Sequence, residues 1–250
     1  MKISVITACY NSASTIEEAM GSMRRQLKSS DLEIEYIIVD GQSKDNTLEV
    51  VERYRDIVTH IVCEKDTGIY DALNKGIRAA TGDVIGFLHS DDSFACEDAL
   101  QIIASTFRES GCDAVYGNGV YVSKETGKVI RKWESGEFRQ QRLNKGWMPM
   151  HPTFYVKRDV YLRYGLFNDT YRIAADYDIV LRFLKQHAIR AKYINKDIIS
   201  MKVGGASSSV KNYIKKWKED FTIMKSHGLN PYFALIYKNL SKIGQFFHSQ

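Results

Sequence analysis

The 250-residue sequence is poor in proline, with three residues, and in cysteine, with four. So little proline excludes collagen-like and proline-rich chains. Cys9, Cys63, Cys96 and Cys112 form no C-x-x-C pair and stand at no zinc-ligand spacing with histidine, which suits a reducing compartment. Cys9 and Cys63 lie in apolar, strand-like runs and read as small buried hydrophobes. No apolar run approaches the ~20 residues that a membrane span needs. The first one, Ile3 to Ala8, gives way to polar Asn11 without a cleavage pattern and reads as a strand. Neither G-x-x-x-x-G-K nor G-x-G-x-x-G occurs, so a P-loop ATPase and a typical NAD enzyme are excluded. Acidic residues are scarce in one place: Met201 to Gln250 holds eight lysines but only Glu219 and Asp220, a local charge of +6. The whole chain carries +5, so the first 200 residues are nearly neutral.

What is present is an ordinary globular composition, 44% hydrophobic and 26% charged, with mean hydropathy −0.31. The length allows one large domain or two small ones around a sizeable core. Strand and helix signals alternate over the first 115 residues. Ile3–Ala8, Tyr36–Val39, His60–Cys63, Val84–Leu88 and Asp113–Tyr116 are short apolar runs. Between them lie helical stripes: Ile16, Ala19, Met20, Met23 and Leu27; Leu48, Val51 and Tyr54; Ala72, Leu73, Ile77 and Ala80; and a segment from Glu97 to Phe107. Ser14 with Glu17, and Asn46 with Glu49, have capping-box spacing. Continuous apolar strands alternating with amphipathic helices predict an α/β fold, a mostly parallel sheet covered on both faces. Beyond residue 117 the pattern changes to a hairpin over Val120–Trp133, an irregular segment, a strand at Phe154–Val156 and a helix over Ala175–His187. Gly204–Ser209 reads as a flexible connector before two amphipathic helical segments.

In an open parallel sheet, ligands bind beyond the carboxyl ends of the strands. Three strands here end in polar groups: Ala8-Cys9-Tyr10-Asn11, Asp40-Gly41-Gln42-Ser43 and His89-Ser90-Asp91-Asp92. For Ser43, Asp45 and Asn46, capping of the following helix is the alternative to a ligand contact. The Asp91–Asp92 pair is different, because adjacent carboxylates after a buried strand repel unless a positive charge joins them. Mn²⁺ or Mg²⁺, which take one or two carboxylates plus phosphate oxygens, would meet that need.

Five segments, TACYN (7–11), DGQSKDNT (40–47), DTGIYDALNKGI (66–77), LHSDD (88–92) and ADYDIVL (175–181), together resemble a glycosyltransferase of family 2, with the GT-A fold. The likeness runs from about Lys2 to Ser207. It implies a Rossmann-like sheet flanked by helices and an enzyme that takes a nucleotide-sugar donor. It implies that Tyr10 stacks on the base and that Asp40 accepts the base imide N–H, favouring a UDP-sugar and then a dTDP-sugar. Asp91 would face the ribose or donor sugar, Asp92 would bind the metal, and Asp176 would be the catalytic base. Two departures stand out: Ala175 precedes Asp176 where many relatives have Glu, and Ser90 replaces an acid of the strict D-x-D. One base and one metal describe a single displacement with inversion, whereas a double displacement needs a second, nucleophilic carboxylate. Asp178, two residues on, points away from Asp176 and reads as a solvated helix-face acid.

His151 is a candidate for acceptor, metal or leaving-phosphate contact, or for a structural histidine. Trp147 is a candidate acceptor platform or loop packing. Asp71, Asn74 and Lys75 are donor-pocket candidates, with capping and core polar contact as the alternative. The expected organisation is a catalytic domain over 1–207, with a nucleotide-sugar half to about 117 and an acceptor half from 118, followed by a basic extension over 208–250. That extension either packs on the domain or lies on an anionic membrane as an interfacial helix. In its first segment Val210, Tyr213, Ile214, Trp217, Phe221 and Met224 form one apolar stripe; in the second, Phe233, Ile236, Leu240, Ile243 and Phe247 do. The expected acceptor is a glycan or lipid-linked glycan and the expected place cytoplasmic, peripheral to the inner membrane face; nucleic acid is not expected, because no RNA-binding motif accompanies the lysines. A catalytically silent nucleotide-sugar binder and a metal-dependent phosphohydrolase are the alternative functions.

Overall fold

The computed structural model describes residues 1–27, 32–203 and 210–244, the side chains of 210, 211 and 241–244 excepted. The Gly204–Ser209 connector and Phe247 lie outside the described residues, and the side chain of Ile243 lies outside them too.

Four parallel strands form one half of the sheet: β1 (Lys2–Cys9), β2 (Glu33–Asp40), β3 (His60–Cys63) and β4 (Val84–Phe87), in the order β3-β2-β1-β4. Their connections are α1 (Ile16–Gln26), α2 (Thr47–Glu52) and α3 (Ile69–Ala79). Because side chains alternate along a strand, β1 sends Ile6 and Ala8 to one face and Ile3, Val5 and Cys9 to the other. Both sets are buried, which is why the strand reads as an unbroken apolar run. Each fully buried Ile or Leu contributes about 1.5–3 kcal/mol. Gly76 lets α3 lie directly on the sheet, since a Cβ there would collide with Ile6 and press on Val39.

The chain then forms β5 (Asp92–Phe94), α4 (Ala99–Ser110), β6 (Ala114–Val122), β7 (Val129–Trp133), α5 (Gln140–Leu143), β8 (Tyr155–Lys157) and α6 (Arg158–Tyr164). It continues through α7 (Ala175–Leu181), which runs on into a π turn over Arg182–Gln186, then β9 (Ala191–Lys202), α8 (Val210–Ser226) and α9 (Pro231–Gly244). β8 joins antiparallel to both β4 and β6, β9 runs parallel to β6, and β5 closes that edge antiparallel to β9. The hairpin expected over Val120–Trp133 is the β6–β7 pair.

Several expectations need correction. Neither capping box forms. α1 starts at Ile16, two residues after Ser14, and Ser12 O accepts from the N–H groups of Thr15 and Ile16. Asp45, not Asn46, serves α2: its Oδ1 accepts from Thr47 N at 3.1 Å. Leu27 is exposed past the end of α1, and Cys63, on the outermost strand of its edge, is exposed as well. β9 and α6 had no expectation. The charges Lys192, Lys196 and Asp197 interrupt β9's apolar pattern, and only Val160 and Tyr161 of α6 are buried. In α8 the inward side chains are Asp220, Ile223 and Met224, while Tyr213, Ile214 and Trp217 of the expected apolar stripe face solvent. Ile223, Met224, Leu229, Ala234 and Leu235 join the same core as α3 and α7, so the described C-terminal helices pack on the sheet domain.

Candidate active site

Parallel pairing of β2, β1 and β4 brings their carboxyl ends to one edge, and hydrogen bonds tie the loops that follow. Asn11 and Gln42, the turn residues after β1 and β2, both have positive φ, at 50° and 61°. Asn11 Oδ1 accepts from Lys44 N at 2.8 Å, and Asn11 N donates to Ser43 Oγ at 2.9 Å. The hydroxyls of Ser12 and Ser90 lie 3.1 Å apart, joining the loop after β1 to the one after β4.

Tyr10 stands on this edge with 56% of its surface exposed, an open aromatic face. Asp40 is different from expectation: it is wholly buried, and protein donors already serve both oxygens. Ser43 Oγ donates to Oδ1 at 2.5 Å and Ser43 N to Oδ2 at 2.9 Å, with the Cys9 and Cys63 thiols at 3.6 and 3.4 Å. A carboxylate with a less committed oxygen lies beside it. Asp66 accepts from Gly68 N through Oδ1, while its Oδ2 and the Tyr10 ring both crowd the place a Gly41 Cβ would take. Burial raises the Asp66 pKa, against the Gly68 hydrogen bond and the charge of Lys75. Gly41 is thus a small residue between an aromatic face and a carboxylate, a combination that the motif around Asp66 contained without a role for Asp66 itself.

Next to this edge is a cavity of about 1040 Å³, lined among others by His89, Ser90, Asp91, Asp92, His151 and Asp176. Asp92 is the first residue of β5, paired in register with Met201. It is buried, its Oδ2 has no hydrogen-bond partner, and burial followed by the neighbouring Asp91 pushes its pKa well up despite Lys202. An orphaned carboxylate oxygen beside a second carboxylate is a fitting seat for a divalent cation. No group of three His, Cys, Asp or Glu side chains forms a closed cage among the described residues. Mg²⁺ and Mn²⁺ take one or two carboxylates together with phosphate oxygens and water, a set that this pair fits.

Asp176 lies in the first turn of α7, where a helix favours negative charge. The Tyr70 hydroxyl lies 3.3 Å from Asp176 Oδ1 and 2.8 Å from Ile173 O, and His151 Nδ1 lies 3.5 Å from Asp176 Oδ2. Burial works to raise the Asp176 pKa, but His151, Lys216 and Lys238 outweigh it, and the net shift is downward. The His89 and His151 rings sit 5.6 Å apart. Burial, then His151, lowers His89 to about 4, and burial likewise lowers His151 against the pull of Asp176. The site thus holds an ionised carboxylate among neutral imidazoles at pH 7.

The C-terminal helices complete this arrangement, which the sequence did not foretell. Glu219 of α8 accepts from Arg172 N, Ile173 N and Ala174 N at 2.9, 2.8 and 3.0 Å, pinning the backbone that leads into α7. Asp220 binds Lys238 at 3.1 Å and Lys216 at 3.6 Å. Lys238 also lies 3.6 Å from the Tyr177 ring centroid. Lys216 and Lys238 both line the cavity. Asp178 is not solvated: it is buried, 2.9 Å from His227 Nε2 and 3.4 Å from Arg182, because α8 ends against that side of α7.

The remaining candidates separate. Trp147 lines the cavity, with Nε1 donating to Ser135 O at 3.0 Å and the Arg142 guanidinium over its ring. Asp71, Asn74 and Lys75 do not line it; Ile69, Tyr70 and Leu73 are the residues of α3 that do. The Asn74 amide holds Phe167 N and O, each at 2.9 Å, so it clamps the chain before α7. Lys75 donates to Lys65 O and pairs with Glu64 and Asp71, and Asp71 accepts from Thr67 N.

Comparison with known proteins identifies the family and the fold. Residues 4–169, more than half of the chain, match the sequence profile described as Glycosyl transferase family 2. A PGL/p-HBAD biosynthesis glycosyltransferase of Mycobacterium bovis is 29% identical over 220 residues, covering 85% of this chain and 82% of that protein. The crystal structure of S. aureus TarS 1–349 in complex with UDP-GlcNAc has TM-score 0.66 at 19% identity, covering 94% of this chain and 69% of that one. The mannosyltransferase PcManGT from Pyrobaculum calidifontis, in complex with GDP-Man and Mn²⁺, has TM-score 0.67 at 19% identity, covering 94% and 68%. The fold is that of the GT-A glycosyltransferases. The chain belongs to glycosyl transferase family 2 and is a glycosyltransferase.

Proposed function

We propose that this family 2 enzyme moves a sugar from a nucleotide-sugar, a UDP-sugar first and a dTDP-sugar second, to a hydroxyl of a glycan or lipid-linked glycan, with inversion. One observation carries the reading: the ionised Asp176 carboxylate and the Asp91–Asp92 pair with its unpartnered oxygen line the same cavity. Tyr10 stacks on the base in this reading. Asp66, with the freer oxygen, reads the imide edge, and Asp40 shapes the turn beneath. The UDP-GlcNAc complex of TarS supports the donor class, and the Mn²⁺ of PcManGT supports a divalent metal. Asp92 would hold that metal, Mn²⁺ or Mg²⁺, with Asp91 toward the ribose or donor sugar, and the metal's chemistry would be to offset charge on the departing diphosphate.

The chain's own residues do the rest. An acceptor hydroxyl has a pKa far above 7 and must lose its proton as it attacks the anomeric carbon. Asp176 takes that proton at a carboxylate oxygen. Tyr70 and His151 fix the carboxylate's orientation, and Lys216 and Lys238 keep it ionised. Asp178, engaged by His227 and Arg182, is turned from nucleophilic use, which supports a single displacement. Trp147 offers an aromatic wall to the acceptor.

Asp176→Asn tests this. Wild-type protein with a panel of UDP-, dTDP- and GDP-sugars and glycan acceptors should release nucleoside diphosphate. The variant should bind donor within about two-fold of wild type and transfer at least ~100-fold more slowly. Transfer retained by the variant removes Asp176 from the chemistry.

A further inference from the structure

The inner face of α9 is Ala234, Leu235 and Lys238, all buried against the domain. Its opposite face is Tyr232, Phe233, Ile236, Tyr237 and Leu240, between 43% and 71% exposed. At 100° per residue these five fall on one continuous arc, centred opposite the buried side. A helix apolar on both faces is complete only when something covers the outer one. α8 adds Tyr213, Ile214 and Trp217 to the exposed apolar surface.

Charge identifies the occupant. Both acids of α8 are spent inward: Glu219 on the backbone before α7, Asp220 on Lys216 and Lys238. The exposed charges on the described parts of these helices are Lys215, Lys218 and Lys225. The outer surface is therefore aromatic, aliphatic and cationic, with no acid among its described residues. A second copy of the same face would set lysine against lysine, whereas a layer of anionic headgroups over hydrocarbon satisfies both features. Asn212 and Lys215 also line the catalytic cavity, so this surface reaches the cavity's rim.

We propose that the outer face of α8 and α9 docks on an anionic lipid bilayer, with the apolar side chains in the acyl boundary and the lysines at the headgroups. Docked this way, the rim of the catalytic cavity lies next to the lipid surface, where a lipid-linked acceptor would be presented. The docking itself stands apart from the catalytic reading and is measured without turnover. Among the described residues no helix is long and apolar enough to cross a membrane, so the contact proposed is interfacial.

The test is flotation of the full chain with vesicles of phosphatidylcholine alone and of phosphatidylcholine with phosphatidylglycerol, at low and high salt. Wild-type protein should float with the anionic vesicles at low salt. A Phe233→Ser, Ile236→Ser, Leu240→Ser variant should lose at least ~100-fold in partitioning. A Lys218→Gln, Lys225→Gln variant should lose roughly 20-fold, only on anionic vesicles. All five side chains are exposed, so melting temperatures should stay within about 2 °C of wild type. Absence of flotation at low salt overturns the proposal, as does flotation that neither variant weakens. A concentration-dependent dimer that the apolar variant abolishes, without vesicle binding, also overturns it and makes the face a self-interface.

Discussion

Glu35 is the clearest case of one side chain tuned by its surroundings. It is almost wholly buried on β2, and burial by itself raises its pKa. Ser4 Oγ, Thr81 Oγ1 and Thr81 N donate to it at 2.5, 2.6 and 2.8 Å, Lys2 lies 3.2 Å away, and the result is a pKa of about 2 against the usual 4.5. A carboxyl depressed in the folded state contributes stability that is complete above 4.5 and fades as pH falls toward 2. Melting temperature should therefore drop across that window, and Glu35→Gln should melt lower at pH 7 and lose this part of the slope. An unchanged acid profile in the variant would contradict the assignment. Single residues also mark where the sequence was legible. Asp91, Asp92 and Asp176 stood out because chemistry and local pattern coincide there. The full burial of Asp40 was not visible, since it depends on donors from two other strands and the turn. Asp66 lay in a recognisable segment, but its position over Gly41 exists only once β1, β2 and α3 have packed.

Between elements, contacts are the source of both stability and site geometry. Gly76→Ala forces α3 away from Ile6 and Val39, and should cost about 1–3 kcal/mol in denaturant titration. Glu219 works differently, because its carboxylate on α8 holds three backbone N–H groups of the segment that leads into α7. Glu219→Gln should cost about 1–3 kcal/mol and lower kcat more than it raises the donor KM, as α7 carries Asp176. A raised donor KM with kcat unchanged would mean that Glu219 serves donor binding instead. The early βα units were legible because their strands are apolar on both faces. β9 was not, being half-buried and interrupted by charge, although it is the strand that seats β5 and so Asp92.

Over the whole molecule, the net charge of +5 resolves into an approximately neutral sheet domain and a basic C-terminal pair of helices. That pair divides its charge. Lys216 and Lys238 face the cavity that Asp176 lines, and Lys215, Lys218 and Lys225 are exposed to solvent. The helices thus pack as part of the folded sheet domain: a chain ending near residue 207 uncovers Ile223's and Met224's partners in the core and removes Glu219 from the segment that leads into α7. Such a truncation should melt lower and lose transfer, which is why point variants, not deletion, separate membrane contact from catalysis. The core claim is a donor diphosphate held in the cavity by a cation on Asp92. Titration calorimetry of UDP into wild-type protein and Asp92→Asn, with and without Mn²⁺, tests it most directly. Binding should tighten at least ~10-fold with Mn²⁺ in wild type and be indifferent to Mn²⁺ in Asp92→Asn. Equal Mn²⁺ enhancement in both proteins, or no UDP binding by either, would contradict it.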